Sequence, residues 1–236
     1  YLAEEILARG DADFIAIGRS LLTDPAWPKK VQEGKYEEMR YCIACNQGCV
    51  DRLLLEGKHA TCILNPACGR EEEFTYSPVA EPKKVVVVGG GPAGMEAARV
   101  ARERGCEVVL FEKSSKLGGQ WRLAAIPQKK EEIHGDVQWL IKSLSRTGVD
   151  VRLNTPATVE NVKAENPDLI ILATGAKPSM PDVSGVDLPH VVLAPEALEN
   201  PDSIGQNVVV VGGGATGLET AEYLAGQGRK VTVIEI

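Results

Sequence analysis

Val85-Val-Val-Val-Gly89-Gly-Gly91-Pro-Ala-Gly94 recurs 123 residues later as Val208-Val-Val-Val-Gly212-Gly-Gly214-Ala-Thr-Gly217. In each copy a helical stretch and a second apolar run follow, and the run ends in an acid, Glu112 or Glu235, 23 residues after the first glycine. A buried parallel strand, a glycine turn that opens a helix and an acid that closes the next strand are the parts of a dinucleotide-binding βαβ unit. Two such units predict two dinucleotides, with electrons passing between them.

Each position of the glycine turn has its own physical role. The first glycine permits a tight turn, the second lets the backbone approach a pyrophosphate, and the third lets helix and strand pack closely. The helix N-terminus adds free N–H groups and a positive dipole end, and the acid receives the ribose hydroxyls. A glycine turn between strand and helix is common by itself. Here each copy also has the flanking strand, the helix and the correctly spaced acid.

A second cluster of chemistry-bearing residues is a cysteine run, in which four of the six cysteines fall within 21 positions: Cys42, Cys45, Cys49 and Cys62. With no secretory signal and no even-spaced disulfide framework, this clustering predicts a metal site in a reducing compartment. Zinc is the competing occupant, because structural zinc sites also take four cysteines. The C-x2-C-x3-C opening is tighter than the paired C-x2-C units of zinc ribbons, which favours a cubane iron–sulfur cluster.

Two cysteines remain outside this set. Cys68 stays open as a substitute ligand. Cys106 lies just before a predicted strand, and we expect it to be an ordinary buried thiol.

The composition limits the function classes. With 44% hydrophobic and 25% charged residues, a net charge of −7 and a pI near 5.2, the chain is expected to be a globular cytoplasmic protein without the basic surface that nucleic acid demands. No apolar run approaches the ~18 residues of a membrane span. The absence of an initiator Met, and an end directly after the second strand of the second βαβ unit, predict a piece of a longer polypeptide.

The N-terminal part shows a different pattern. Residues 1–10 have helical spacing, with Leu2, Ile6 and Leu7 expected to face inward. Residues 13–19 are predicted to form a short buried strand that ends in Gly18-Arg19, similar to a phosphate-binding turn of an α/β barrel, although a surface arginine that caps a loop is the alternative. A turn and a short helix are predicted over 21–33, and an exposed linker over 71–84.

The order of these features closely resembles the 2,4-dienoyl-CoA reductase and trimethylamine dehydrogenase group, old yellow enzyme relatives with an iron–sulfur cluster and a C-terminal flavin domain. The resemblance covers essentially the whole chain: Gly18-Arg19, Leu22-x-Asp24-Pro25, the four cysteines with Asn46-Gln47, Asn65-Pro66, Gly69-Arg70-Glu71 and both glycine motifs. It implies an α/β fold with the last strand and helices of a TIM-type barrel (1–40), an iron–sulfur segment (41–75), a Rossmann-like FAD domain (76–205) and the start of an NAD(P) domain (206–236).

The resemblance also implies the site residues. Gly18 and Arg19 would contact the FMN phosphate, and Cys42, Cys45, Cys49 and Cys62 would hold a 4Fe-4S cluster. The implied FAD contacts are Gly89, Gly91, Pro92, Ala93, Gly94, Glu112, Lys113, Gly119, Gln120, Thr174 and Gly175. The implied NAD(P) contacts are Gly212, Gly214, Thr216, Gly217 and Glu235. No catalytic residue is assigned, because the barrel's substrate-side acid and base are missing, as is the late Gly-Asp segment that closes around FAD.

The implied activity is an electron relay from NAD(P)H through FAD and the cluster to FMN, which reduces an activated C=C bond of a small-molecule substrate. Glu235 would repel the 2′-phosphate of NADPH, which favours NADH, unless it merely caps a strand. Three alternatives stay open: an amine dehydrogenase of the same group with outward electron flow, a non-catalytic electron-transfer or nucleotide-binding fragment, and a glutamate-synthase-like small subunit. The full-length protein is expected to be able to form a homo-oligomer.

Overall fold

The computed structural model describes residues 1–74 and 76–235. The chain divides into two compact units, an N-terminal unit (Tyr1–Thr75) and a C-terminal unit (Tyr76–Ile236).

The N-terminal unit is built from short helices joined by long connections. The α-helices are α1 (Leu2–Arg9), α2 (Arg19–Thr23), α3 (Trp27–Gln32) and α4 (Arg52–Leu54). A 3-10 turn covers Tyr36–Glu38, and a π-helical turn over Gln47–Asp51 leads directly into α4. The predicted helices over 1–10 and within 21–33 are therefore present.

The strand predicted over 13–19 is wrong. These residues form no strand, and the side chain of Phe14 is 90% exposed. A strand needs a neighbour that takes its hydrogen bonds, and the described residues 1–74 contain no other strand. The inward face expected for α1 is also wrong, because none of its residues is buried.

A buried ionic network holds the connections of the N-terminal unit. Asp24 is 5% exposed, and its Oδ2 accepts hydrogen bonds from Lys30 Nζ at 2.7 Å and from the Arg40 backbone N–H at 3.0 Å. The Arg40 guanidinium donates to the Leu64 carbonyl, and Asn65 Nδ2 donates to the Leu22 carbonyl at 2.8 Å. These bonds tie α2 and α3 to the segments on either side of the cysteine run.

The C-terminal unit alternates strands and helices. Its strands are β1 (Lys84–Val88), β2 (Glu107–Phe111), β3 (Asp150–Arg152), β4 (Leu169–Leu172), β5 (Asn207–Val211) and β6 (Lys230–Ile234). Its helices are α5 (Pro92–Glu103), α6 (Gly119–Ala124), α7 (Glu131–Thr147), α8 (Val159–Ala164), α9 (Ala194–Glu199) and α10 (Ala215–Gly226), with a 3-10 turn over Pro201–Ser203.

Two parallel sheets result from this alternation. The larger has the order β3-β2-β1-β4, and the smaller pairs β5 with β6. The valine run of β1 is buried on both faces, as in other parallel sheets covered by helices. Val85 and Val87 belong to a core with Met95 of α5 and Leu140 of α7. Val86 belongs to a second core on the other face of the sheet, which includes Phe111 and Val162 of α8.

The edges of these sheets are more open than the sequence suggests. β4 is not buried, since the side chain of Leu172 is 76% exposed. The described residues of 71–83 are mostly exposed, as expected of a linker, although Val79 packs against the core around β1. Lys84, the last residue of the predicted linker, belongs to β1. No helix among the described residues is long and apolar enough to cross a membrane.

Candidate nucleotide and cluster sites

The first glycine turn has the backbone that a dinucleotide motif requires. Gly89 follows β1 with φ 110°, in the region that favours glycine, and a Cβ there would collide with the Ala173 carbonyl oxygen. Gly91 caps α5 with φ −75° and ψ 179° and has open space where a Cβ would stand. A Cβ on Gly94 would overlap the Gly89 carbonyl oxygen, so only glycine lets α5 lie this close to β1.

Glu112 closes β2 beside this turn and is 8% exposed. Its Oε2 accepts the Gly90 N–H at 2.7 Å, and its Oε1 accepts the N–H and the hydroxyl of Ser114, both at 2.8 Å. Burial by itself would raise the pKa of Glu112, but these three donors, with a contribution from exposed Lys113, outweigh it and lower the pKa. The group is therefore an anion at neutral pH. A carboxylate has about four lone-pair sites, so one is left for a ribose hydroxyl.

Two loops approach the first turn from other parts of the chain. The turn after β4 lies against Gly89. A Cβ built on Gly89 would stand 3.4 Å from the Thr174 Cα. In the second loop the Gly118 N–H donates to the Gly90 carbonyl at 2.8 Å, and a Cβ on Gly119 would stand 3.2 Å from the Gly91 Cα. Gln120 joins the two loops through its 2.6 Å bond to the Ala176 carbonyl. The structure thus brings most of the predicted FAD residues together; Pro92 and Ala93 lie exposed at the start of α5, and Gly175 is exposed after Thr174.

The second glycine turn repeats the first. Gly212 has φ 112°, and Gly214 caps α10 with φ −71° and ψ 174°. A Cβ on Gly217 would overlap the Gly212 carbonyl oxygen. Glu235 accepts the Gly213 N–H, as Glu112 accepts the Gly90 N–H. The two motifs therefore agree in backbone shape and in the contact of their acid, while Thr216 lies exposed in the first turn of α10.

Arg229 and Lys230 are the cations that stand shortly before Glu235 in the sequence. All three side-chain nitrogens of Arg229 donate hydrogen bonds. Their acceptors are the Ile204 carbonyl at 3.2 Å, Gln227 Oε1 at 2.7 Å and the Pro201 carbonyl. Lys230 is the first residue of β6, at the opposite end of that strand from Glu235. Glu235 is therefore a negative charge at the second turn that neither Arg229 nor Lys230 pairs.

The four predicted cysteine ligands line one open pocket in the N-terminal unit, together with Arg19, Thr23 and Asn46: Cys42, Cys45, Cys49 and Cys62. The loop between them is tightly turned, since Ala44 and Asn46 both have left-handed φ values, 55° and 60°. The π-helical turn then carries Cys49 back towards the pocket.

Gly48 explains how the fourth cysteine reaches the other three. Its carbonyl accepts the Thr61 N–H at 2.6 Å and the Thr61 hydroxyl at 3.1 Å. A Cβ on Gly48 would stand only 2.8 Å from the Thr61 carbonyl oxygen. Glycine at this position thus allows the close approach that places Cys62, the next residue, at the pocket.

The four thiols of the pocket influence one another. Burial raises the pKa of Cys45, the Gln47 N–H lowers it, and the charges of the other three cysteines raise it further. Among the described residues, no group of three or more His, Cys, Asp or Glu side chains is arranged to hold a metal ion.

Arg19 lies at this pocket, where its guanidinium donates to Asn46 Oδ1 at 2.6 Å. Gly18 caps α2, and a Cβ there would meet nothing within 4 Å. The buried thiol of Cys68 is close enough to Cys62 and Cys49 to feel their charges, although burial is the larger cause of its raised pKa. Cys106 is buried in the core around β1, as expected.

Sequence reasoning missed two residues here, Thr23 and Gly48. The signal for Thr23 was its position one helical turn after Arg19, on the same face of α2.

The chain matches one protein-family model and is similar to several oxidoreductases. Residues 47–167 and 83–236 match the model of the pyridine nucleotide-disulphide oxidoreductase family. The chain is 45% identical over 244 residues to the NADH oxidase of Thermoanaerobacter brockii, with 99% of the chain and 37% of that protein covered. It is 31% identical to the dimethylamine dehydrogenase of Hyphomicrobium sp. (strain x), with 98% of the chain and 34% of that protein covered.

Among solved structures, that of a 2-naphthoyl-CoA reductase in complex with 2-naphthoyl-CoA matches with a TM-score of 0.91 at 39% identity. The match covers 98% of the chain and 35% of the reductase. The chain thus spans a little more than a third of the length of the proteins that it resembles.

Proposed function

The chain belongs to the pyridine nucleotide-disulphide oxidoreductase family, and we propose that it passes electrons between a nicotinamide nucleotide and a flavin, and onward through an iron–sulfur cluster, as part of a reductase. Family and relatives indicate a flavin and NAD(H). The observation that carries the proposal is the repeated glycine turn, with the same backbone angles and the same acid contact in both copies. One turn would support a nucleotide-binding protein, whereas two support transfer between nucleotides.

FAD is assigned to the first turn. Support comes from the two loops that approach it, at Gly118–Gly119 and Thr174. The backbone around Gly91 would hold the pyrophosphate at the start of α5, and Glu112 would accept a ribose hydroxyl. The dipole of α5 would stabilise the negative charge of the pyrophosphate at the N-terminus of this helix.

NADH is assigned to the second turn. The exposed carboxylate of Glu235 has no free cation beside it among the described residues, since Arg229 is held by carbonyl groups. A 2′-phosphate would meet this negative charge, whereas ribose hydroxyls would donate to it. We therefore expect NADH to be preferred over NADPH.

The cysteine pocket is proposed to hold a 4Fe-4S cluster. The donor set of four thiols at one pocket and their C-x2-C-x3-C sequence spacing support such a group. A bound cluster supplies one-electron transfer, which links two flavins that exchange electrons singly. This chain's part is to hold the four sulfurs through the turns at Ala44, Asn46 and Gly48.

FMN contact is proposed for Gly18 and Arg19, at the end of a barrel that residues 1–40 would complete. Arg19 has five N–H donors and uses one on Asn46, so others can bind a phosphate. The space around Gly18 would admit the phosphate close to the backbone.

The proposed reaction is reduction of an activated C=C bond in a small carboxylate or thioester. The similarity to a 2-naphthoyl-CoA reductase supports the reductive direction, and the lower identity to dimethylamine dehydrogenase makes outward flow the second candidate. The test is anaerobic addition of NADH to the full-length holoprotein, followed by an enoate or an enoyl thioester. Bleaching of the flavin by NADH and its return with the acceptor support the proposal. Bleaching by a methylated amine but not by NADH overturns it.

A further inference from the structure

The hydroxyl of Thr23 lies beside one of the four proposed cluster ligands. Thr23 Oγ1 stands 3.6 Å from Cys62 Sγ, a distance suited to a hydrogen bond with a sulfur atom because sulfur is large. The same hydroxyl is 3.2 Å from the Arg19 carbonyl, one turn back on α2. Thr23 is 4% exposed, so water does not compete for the contact.

The direction of this hydrogen bond follows from the protonation of the sulfur. Between a thiol and a hydroxyl, either group can donate. A sulfur that ligates iron has lost its proton and can only accept. The Thr23 hydroxyl must then be the donor, and its proton turns from the Arg19 carbonyl towards Cys62.

Backbone groups lie at two of the other sulfurs. The Ala44 N–H donates to Cys42 Sγ at 3.3 Å. The Cys49 thiol donates to the Asn46 carbonyl oxygen at 3.7 Å, a bond that a sulfur without its proton cannot make. Within the described residues, Cys62 is thus the ligand whose partner is a side-chain hydroxyl. A point mutation can remove this contact and leave the backbone unchanged.

We propose that the Thr23 hydroxyl donates a hydrogen bond to the Cys62 sulfur and raises the reduction potential of the cluster. The inference rests on the proposed function, in that the pocket must hold the cluster. A donor next to a ligand sulfur stabilises the added negative charge when the cluster gains one electron. No bond at Thr23 forms or breaks and its proton stays in place, so Thr23 tunes electron transfer without taking part in it.

The test is a redox titration of the anaerobically purified holoprotein, followed by electron paramagnetic resonance of the reduced cluster. Thr23→Val keeps the shape of the side chain and removes the donor. We expect the equilibrium constant for one-electron reduction of its cluster to be about tenfold smaller. This corresponds to a midpoint potential about 59 mV lower. Thr23→Ser keeps the hydroxyl and is expected to match the wild type.

Thr147→Val is the matched control. The Thr147 hydroxyl also bonds carbonyls one turn back on its own helix, those of Ser143 at 2.9 Å and Leu144 at 3.1 Å, but belongs to the C-terminal unit. Its potential should not change. An unchanged potential in Thr23→Val with full iron content overturns the inference, while the proposed function stands.

Two further results are informative. If Thr23→Val takes up less iron, the serine variant decides, because a potential lowered in Thr23→Ser would show that the γ-methyl group and not the hydroxyl matters. A wild-type protein that binds no cluster under anaerobic reconstitution refutes the proposed function itself and removes the basis of the inference.

Discussion

Replacing Glu112 by glutamine tests how the first nucleotide site is held together. The carboxylate accepts three hydrogen bonds, from the Gly90 N–H and from the N–H and hydroxyl of Ser114. An amide has one oxygen, so its nitrogen must face a donor on one side or the other. Leaving a buried donor unpaired costs about 1–3 kcal/mol, and the lost negative charge adds to this because charge-assisted bonds are the stronger ones.

The effect should depend on pH. The pKa of Glu112 is lowered in the folded protein, so its stabilisation is fully present above the unfolded value of about 4.3 and is lost as pH falls through the folded value. Below that pH the wild-type side chain is a neutral acid and resembles glutamine. The difference in unfolding free energy between wild type and Glu112→Gln should therefore be constant from about pH 7 to pH 5 and shrink below about pH 4.

Urea unfolding of the apoprotein across this pH range is the assay. In thermal unfolding the same loss corresponds to a Tm lower by about 2–12 °C at neutral pH. Glu107→Gln is the control, because Glu107 is 70% exposed in its side chain and pairs with Lys84 at 3.3 Å on the surface. That change should cost less than about 0.5 kcal/mol. A Glu112→Gln loss that equals the control, or one that does not vary with pH, would refute the reasoning.

Three more outcomes are expected. Cys45→Ser should lose the iron, whereas Cys106→Ser should keep about four irons per chain; stoichiometric zinc after anaerobic reconstitution would contradict the cluster. NADH should reduce the bound flavin faster than NADPH in stopped-flow experiments, and Glu235→Ala should weaken that preference; faster reduction by NADPH or an unchanged variant would count against Glu235. Asp24→Asn should lower the unfolding free energy by about 1–3 kcal/mol by removing the charge beside Lys30; a loss below about 0.5 kcal/mol would show that the pair is dispensable.

Local features of the molecule could be predicted from the sequence. Both βαβ units follow from glycine spacing and apolar runs, because a turn that needs φ near 110° at Gly89 and Gly212 restricts the residue that can stand there. The pairing of β1 with β2 and of β5 with β6 was predicted for the same reason. Such patterns act within a few residues and need no knowledge of distant neighbours.

Features that depend on distant contacts could not be predicted. The apolar run at 13–17 has strand character, but strand formation depends on a hydrogen-bonding neighbour that the pattern does not specify. The roles of Gly48 and Thr23 arise only because Thr61 and Cys62 return to the cysteine loop. Sequence spacing assigned the four thiols to one site, and only the structure shows which groups surround each sulfur.

Alanine at the second glycine of each motif is the most direct test of the two nucleotide sites. Gly91 and Gly214 have φ values of −75° and −71°, and a Cβ on either meets no protein atom within 4 Å. Alanine therefore fits the protein at both positions, and any loss reports the ligand that the backbone approaches. The measurement is the FAD content of each purified variant, together with the Kd for NAD⁺ by calorimetry.

We expect Gly91→Ala to lose FAD, and Gly214→Ala to keep FAD while its Kd for NAD⁺ rises at least about tenfold, or 1.4 kcal/mol. The reverse pattern would exchange the two assignments. Full retention of both nucleotides in both variants would contradict the claim that these turns hold them.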